Sequence, residues 1–129
     1  MVLIDPLNAT GWEIFNFDGM SLGGYEIRDG YIVLHLLDFG IGHRGKLIIL
    51  DTYGNLYGEI KIERELISMS LMEDKLFVML SDGLIMFDKS LNLLPSPPDS
   101  PSAVGVSRIL ALSNNTTLIA GDRFAIVVK

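Results

Sequence analysis

Tyr25-Glu26-Ile27-Arg28-Asp29-Gly30-Tyr31-Ile32-Val33-Leu34 sets two short apolar runs on either side of an Asp-Gly pair. Asp-Gly tolerates the positive φ angles of a two-residue hairpin turn, so the segment reads as strand, turn and antiparallel strand. The same outline returns at Met69-Ser70-Leu71-Met72-Glu73-Asp74-Lys75-Leu76-Phe77-Val78. It returns again at Leu110-Ala111-Leu112-Ser113-Asn114-Asn115-Thr116-Thr117-Leu118-Ile119. Laid over one another, these segments match Tyr25 to Met69 and to Leu110. In the first two copies a third strand follows and ends in an acid, Gly45-Lys46-Leu47-Ile48-Ile49-Leu50-Asp51 and Gly83-Leu84-Ile85-Met86-Phe87-Asp88. Each acid is followed four positions later by asparagine, Asn55 and Asn92, and then by two large apolar residues. Asp51 and Asp88 stand 37 residues apart. A fainter copy runs from Trp12 to Met20, with Asn16 preceding Asp51 by 35 residues.

Outside these segments the apolar residues also come in bursts of four to seven bounded by Gly, Asp, Asn, Ser and Pro, without sustained helical spacing. Strands are expected at 2–4, 12–15, 24–27, 31–37, 46–50, 56–62, 66–71, 76–80, 84–87, 106–112, 118–120 and 124–128. Glu63-Arg64-Glu65-Leu66 is the one place where a short helix competes. Four repeat units follow: a partial one over 1–23, units over 24–62 and 63–102, and a partial one over 103–129, within a single all-β domain spanning 1–129.

An acid that closes a strand can accept hydrogen bonds from amides of the following turn, with Gly or Asn shortly after it in the left-handed conformation. Asp51 and Asp88 therefore read as turn formers rather than metal ligands or bases. The pattern of glycine, apolar strand, Asp, turn, Gly or Asn, apolar pair resembles the blades of β-propellers of the quinoprotein-like and related repeat families, over roughly residues 12–128. The resemblance implies an antiparallel meander architecture with about three and a half blades, a partial ring. It implies no cofactor, because Trp12 is the only tryptophan; the Trp-Asp dipeptide of WD-type blades is missing and Gly-His occurs once, at Gly42-His43, without repeating. A β-sandwich or barrel is the competing architecture.

Composition narrows the function. The 129 residues carry 16 Asp and Glu against 10 Lys and Arg, a net charge of −6, which disfavours nucleic acid and anionic lipid as partners. With 49% hydrophobic residues the chain has ample material for a core. No cysteine is present, so disulfides, thiolate metal sites and cysteine nucleophiles are excluded. The opening Met1-Val2-Leu3-Ile4-Asp5-Pro6 lacks the basic region of a secretory signal, and a cytoplasmic location is expected. The sequons at Asn8, Asn114 and Asn115 then read as turn residues.

Candidate chemistry is sparse. His35 alternates with Tyr31, Val33 and Leu37 and reads as a buried sheet histidine. His43 and Arg44 lie in the longest hairpin loop, Asp38-Phe39-Gly40-Ile41-Gly42-His43-Arg44-Gly45, and are the candidate binding residues, suited to an anion. The loop leads into a strand, so a helix N-terminus is not there to assist. No H-x-x-x-H, H-E-x-x-H or G-x-S-x-G pattern occurs, and no catalytic residue, metal ligand or cofactor is assigned. Pro95-Ser96-Pro97-Pro98-Asp99-Ser100-Pro101 reads as a bridge between strands.

A blade cannot bury both faces alone, and closed propellers have four to eight. The expected function is a non-enzymatic binding or assembly module that closes its ring by association, most simply as a homodimer of half-propellers, or with another protein. The alternatives are a structural, coat-type β-sandwich protein and a small-ligand enzyme built on loop 40–45.

Overall fold

The computed structural model describes residues 2–5, 10–13, 15–38, 44–72, 74–95, 105–113 and 116–128. Every regular element among them is a strand. β1 (Val2–Asp5) and β2 (Thr10–Glu13) form a two-stranded antiparallel sheet. β3 (Ser21–Arg28), β4 (Tyr31–Leu37), β5 (Gly45–Asp51) and β6 (Leu56–Ile62) form a first four-stranded meander. β7 (Leu66–Leu71), β8 (Lys75–Leu80), β9 (Gly83–Asp88) and β10 (Leu93–Leu94) form a second. β11 (Val106–Ser113), β12 (Thr116–Gly121) and β13 (Ala125–Val128) form a third sheet of three strands. In each sheet the spatial order of strands is the order in the chain, and all pairing is antiparallel.

The turn chemistry set these boundaries. Asp29 and Gly30 both take positive φ, 52° and 80°, and join Arg28 to its partner Tyr31. Residues 63–65 connect β6 to β7 without a helix, so the helical alternative there fails. The strand expected over 12–15 instead ends at Glu13, and Phe15 lies beyond it. The two-residue β10 was not expected; with two residues and no alternation to show, it leaves no periodic signal.

One register differs from the overlay of the sequences. In the third sheet a bulge between Ala111 and Ser113 lets Ser113 face Thr116 while Ala111 faces Thr117. Ile109 and Ala111 therefore occupy the places of Met69 and Leu71 in the second sheet and of Tyr25 and Ile27 in the first. The sequence match, which set Leu110 against Tyr25, is off by one residue, and the side chains from Arg108 to Ala111 move to the opposite face, until a second bulge between Val106 and Arg108 returns Val106 to the inner one.

The sheets stack through their faces. We call the face turned toward the N-terminal end of the stack proximal and the other distal. The distal face of the first sheet, with Val33, Leu47, Ile49 and Ile62, packs on the proximal face of the second, with Met69, Leu71, Val78, Leu80 and Phe87. The distal face of the second sheet, with Phe77, Met79 and Leu84, packs on Ile109, Ala111 and Ile119 of the third. Phe15, Phe17 and Met20 lie over Ile32, Leu34, Leu36, Ile48 and Leu50 on the proximal face of the first. Because β4 and β8 are covered on both faces, they read as near-continuous apolar runs, broken in β4 only by His35 and opened in β8 by Lys75, rather than as alternating ones.

The innermost strands are joined more specifically. Amides of β11 that point away from β12 need partners. Ser68 Oγ accepts from the Ile109 amide at 3.1 Å and Ser70 Oγ from the Ala111 amide at 2.8 Å. Two serines thus satisfy one edge of the third sheet and fix its position against the second.

Candidate functional site

Three places hold polar chemistry. The first is the base of the long hairpin loop. His43 lies outside the described residues, and Arg44 is exposed. The Arg44 carbonyl accepts from the Asp38 amide at 2.9 Å, which closes the loop. Arg44 lines an open cleft of about 330 Å³ with Met20, Asp38, Lys46, Glu59, Lys61 and Glu63. Lys46 is bound to Glu59 at 3.0 Å. Three cations therefore meet three carboxylates, and the cleft carries no net positive charge with which to attract an anion.

The second place is the pair of Asp turns. Asp51 Oδ1 accepts from the amides of Tyr53 and Asn55 at 2.9 and 3.0 Å, and its Oδ2 from Asn55 Nδ2 at 2.8 Å. Asp88 does the same with Ser90 and Asn92 at 2.8 and 2.9 Å, and with Asn92 Nδ2 at 3.2 Å. The acids are turn formers, as their position at the strand ends implies. The left-handed residue is the one before the asparagine: Gly54 at φ 85° in the first turn and Leu91 at φ 60° in the second. Leucine takes that strained conformation because its side chain is buried in the seam between the first two sheets.

The hydrogen bond from the Asn55 side chain, with amide bonds behind it, holds the Asp51 carboxyl below its usual range. The Asn92 amide does the same for Asp88. A lowered folded pKa contributes stability above the unfolded pKa and loses it as pH falls through the folded value. Asp88→Ala is therefore expected to lower Tm by about 4 °C at pH 7 and by less at pH 3, which thermal melts at the two pH values would check. An equal loss at both would remove the carboxylate from the account.

Beside these turns lies a cluster with no signal in the sequence. Tyr31 and Tyr57 meet edge to face with ring centroids 5.3 Å apart, and Lys89 Nζ stands 3.9 Å above the Tyr31 ring. Lys89 belongs to the turn after β9, so the contact links the outer parts of the first and second sheets.

The third place is His35, on β4 in the seam between the first two sheets. It is 5% exposed, and its Nε2 has no hydrogen-bond partner. Burial pushes its pKa below the usual imidazole value. It faces the same side as Tyr31, Val33 and Leu37, as alternation requires. Glu26, two residues along the neighbouring strand and on the same face, has its carboxyl raised by burial against the opposing pull of Arg108.

The three places are separate: neither the Asp turns nor His35 lines the loop cleft. Among the described residues no group of three or more His, Asp or Glu converges as a metal site either. No helix among those residues is long and apolar enough to cross a membrane.

No protein family model matches the chain, and no curated protein matches it. Among solved structures it is similar to the crystal structure of the computationally designed Ika4 protein, with a TM-score of 0.58 and 12% sequence identity over 82% of this chain. The chain spans 64% of the length of that protein, and at this identity the likeness is one of fold alone.

Proposed function

We propose that the chain is a non-enzymatic binding or assembly module built from propeller-type blades, its stack of sheets completed by association with copies of itself. One observation carries the reading: the third sheet uses only its proximal face. On its distal face Leu110, Leu112 and Val127 are 43%, 50% and 53% exposed. Terminal sheets of a repeat stack ordinarily carry a polar outer face, and this one does not. Sequential strand order within every sheet supports blades over a sandwich, which needs strands that cross between sheets. Balanced charge around Arg44 and the saturated carboxylates of Asp51 and Asp88 favour binding through surfaces over catalysis.

Light scattering at micromolar concentration tests this reading. The expected result is a mass of at least two chains. A soluble, folded monomer would overturn it.

A further inference from the structure

β3 is held less firmly than the strands that correspond to it in the other sheets. By register Gly24 and Glu26 take the places of Ser68 and Ser70 in β7, since they face His35 and Val33 where the serines face Met79 and Phe77. The two serines accept from amides of β11. Gly24 has no side chain to do so, and the Glu26 carboxyl makes no hydrogen bond among the described residues. β7 buries Met69, Ser70 and Leu71, and β11 buries Val106, Ile109 and Ala111, whereas no residue of β3 is buried. Phe15, Phe17 and Met20 cover β4 and β5 on the proximal face but leave Leu22, Tyr25 and Ile27 of β3 exposed. The ladder to β4 is therefore the main tie of β3, which sets this strand at the low-stability end of the fold.

His35, the only buried titratable side chain among the described residues, lies under this strand. Gly24 is its partner on β3, and Gly23, the extra residue of the bulge, closes over the ring. A Cβ at Gly23 would stand 2.9 Å from His35 Nδ1 and 3.0 Å from Leu37 Cδ1, so glycine is what permits the approach. A second glycine beside it leaves the backbone free to bend there. Nε2 of the ring has no partner. On β5 the neighbour is Leu47, and the second sheet turns Leu66, Met69, Leu71 and Leu80 to this seam. The charged groups on the same face are Glu26, with Arg108 of β11 beyond it, and Arg28 at the far end of β3; Lys89 of the second sheet stands farther out, over Tyr31.

We propose that β3 is a flap operated by His35: when the ring takes a proton, β3 lifts at Gly23-Gly24, admits water to the imidazolium and uncovers the ladder edge of β4. Lifting breaks ladder bonds at the margin of the sheet but withdraws no buried side chain of β3, and it exchanges an orphaned nitrogen for a hydrated one. The outer part of the seam stays closed, tied by buried Leu91 and by Lys89 over Tyr31. The hydrated ring titrates near 6.5 and the covered ring below it, so the open form binds the proton more tightly. Its population then grows by up to about tenfold as pH falls from 7.5 to 5.5. Glu26 acts in the opposite sense, because its covered carboxyl favours the closed strand as pH falls.

Amide hydrogen exchange of the full chain at pH 7.5 and 5.5, corrected for intrinsic rates, tests the flap. Two results are expected together. Amides of β3 should be at least about tenfold less protected than those of β8 and β12, which open with the whole fold. They should also lose a further factor of about five to ten at the lower pH. His35→Leu and His35→Gln, the second keeping a polar group that does not titrate, should each keep the low protection of β3 but hold it constant between the two pH values. Glu26→Gln removes the other titrating group and should leave the response in place. Protection of β3 equal to that of β8 would mean that the strand opens only with the whole fold, and would overturn the flap. Exchange of β3 that ignores pH would reduce its opening to fraying unconnected with the ring, and would overturn it too. So would a response that survives in a folded His35 variant or disappears in Glu26→Gln.

Discussion

Gly58→Ala is expected to lower Tm by about 10 °C, corresponding to about 2–3 kcal/mol of overpacking. Gly58 lies in β6, where its backbone rests on the turn after β9 of the second sheet. A Cβ built there falls on the Ser90 carbonyl oxygen, well inside van der Waals contact, and stands 3.2 Å from Leu91 Cβ. The obstacle is backbone, and that backbone is held by the Asp88 carboxylate and by the buried Leu91 side chain. Neither can yield without opening the seam between the sheets. Gly24→Ala is the control, since a Cβ there meets nothing within 4 Å. Thermal melts of the two variants should differ by most of the 10 °C, and equal melts would show that the close approach of β6 to the turn carries no weight.

The second large effect is a loss of stability in mild acid through His35. Its folded pKa lies below the unfolded value because burial disfavours the charged ring. Between the two values the unfolded chain binds the extra proton, so stability falls as pH drops below about 6.5, at up to about 1.4 kcal/mol per unit, until the folded pKa is reached. Glu26 works in the opposite sense: its raised carboxyl pKa favours the folded state as pH falls toward it. Comparison with His35→Leu isolates the histidine. The leucine variant is expected to be at least as stable as the wild type at pH 7, having no orphaned ring nitrogen in the core, and to lose less between pH 6.5 and 5 in urea titrations. Parallel pH profiles for the two proteins would rule the histidine out as the source.

The hairpins were legible because their signals are local. Asp29-Gly30 imposes its turn through backbone conformation, and alternation placed His35 on its face before any packing was known. The acid at the end of the third strand and the asparagine four residues later form a closed set of hydrogen bonds, which is why Asp51 and Asp88 could be read without a partner in view. Leu91 was not legible in this way. A leucine at positive φ has no local reason, and only the seam that buries its side chain supplies one.

The candidate site was less legible than the fold. Arg44 was singled out for its place in a glycine-rich loop, yet Lys46, Glu59, Lys61 and Glu63 arrive beside it from β5, β6 and the link beyond, and together with Asp38 of the same loop they bring the charge of the cleft to zero. The contact of Lys89 with Tyr31 joins residues far apart in the chain, and Ser70 with Ala111 joins two sheets. No spacing in the sequence encodes either.

By itself the sequence determined that the chain is all-β, where its turns fall and that its units repeat, because dihedral preference and hydrophobic period act over a few residues. Tertiary structure decided the register of β11 and the surfaces left uncovered. A bulge of one residue in a strand of eight leaves composition and spacing almost unchanged, but it sends Ile109 and Ala111 into the seam and turns Leu110 outward, since side chains in a strand alternate and a single added residue exchanges the faces.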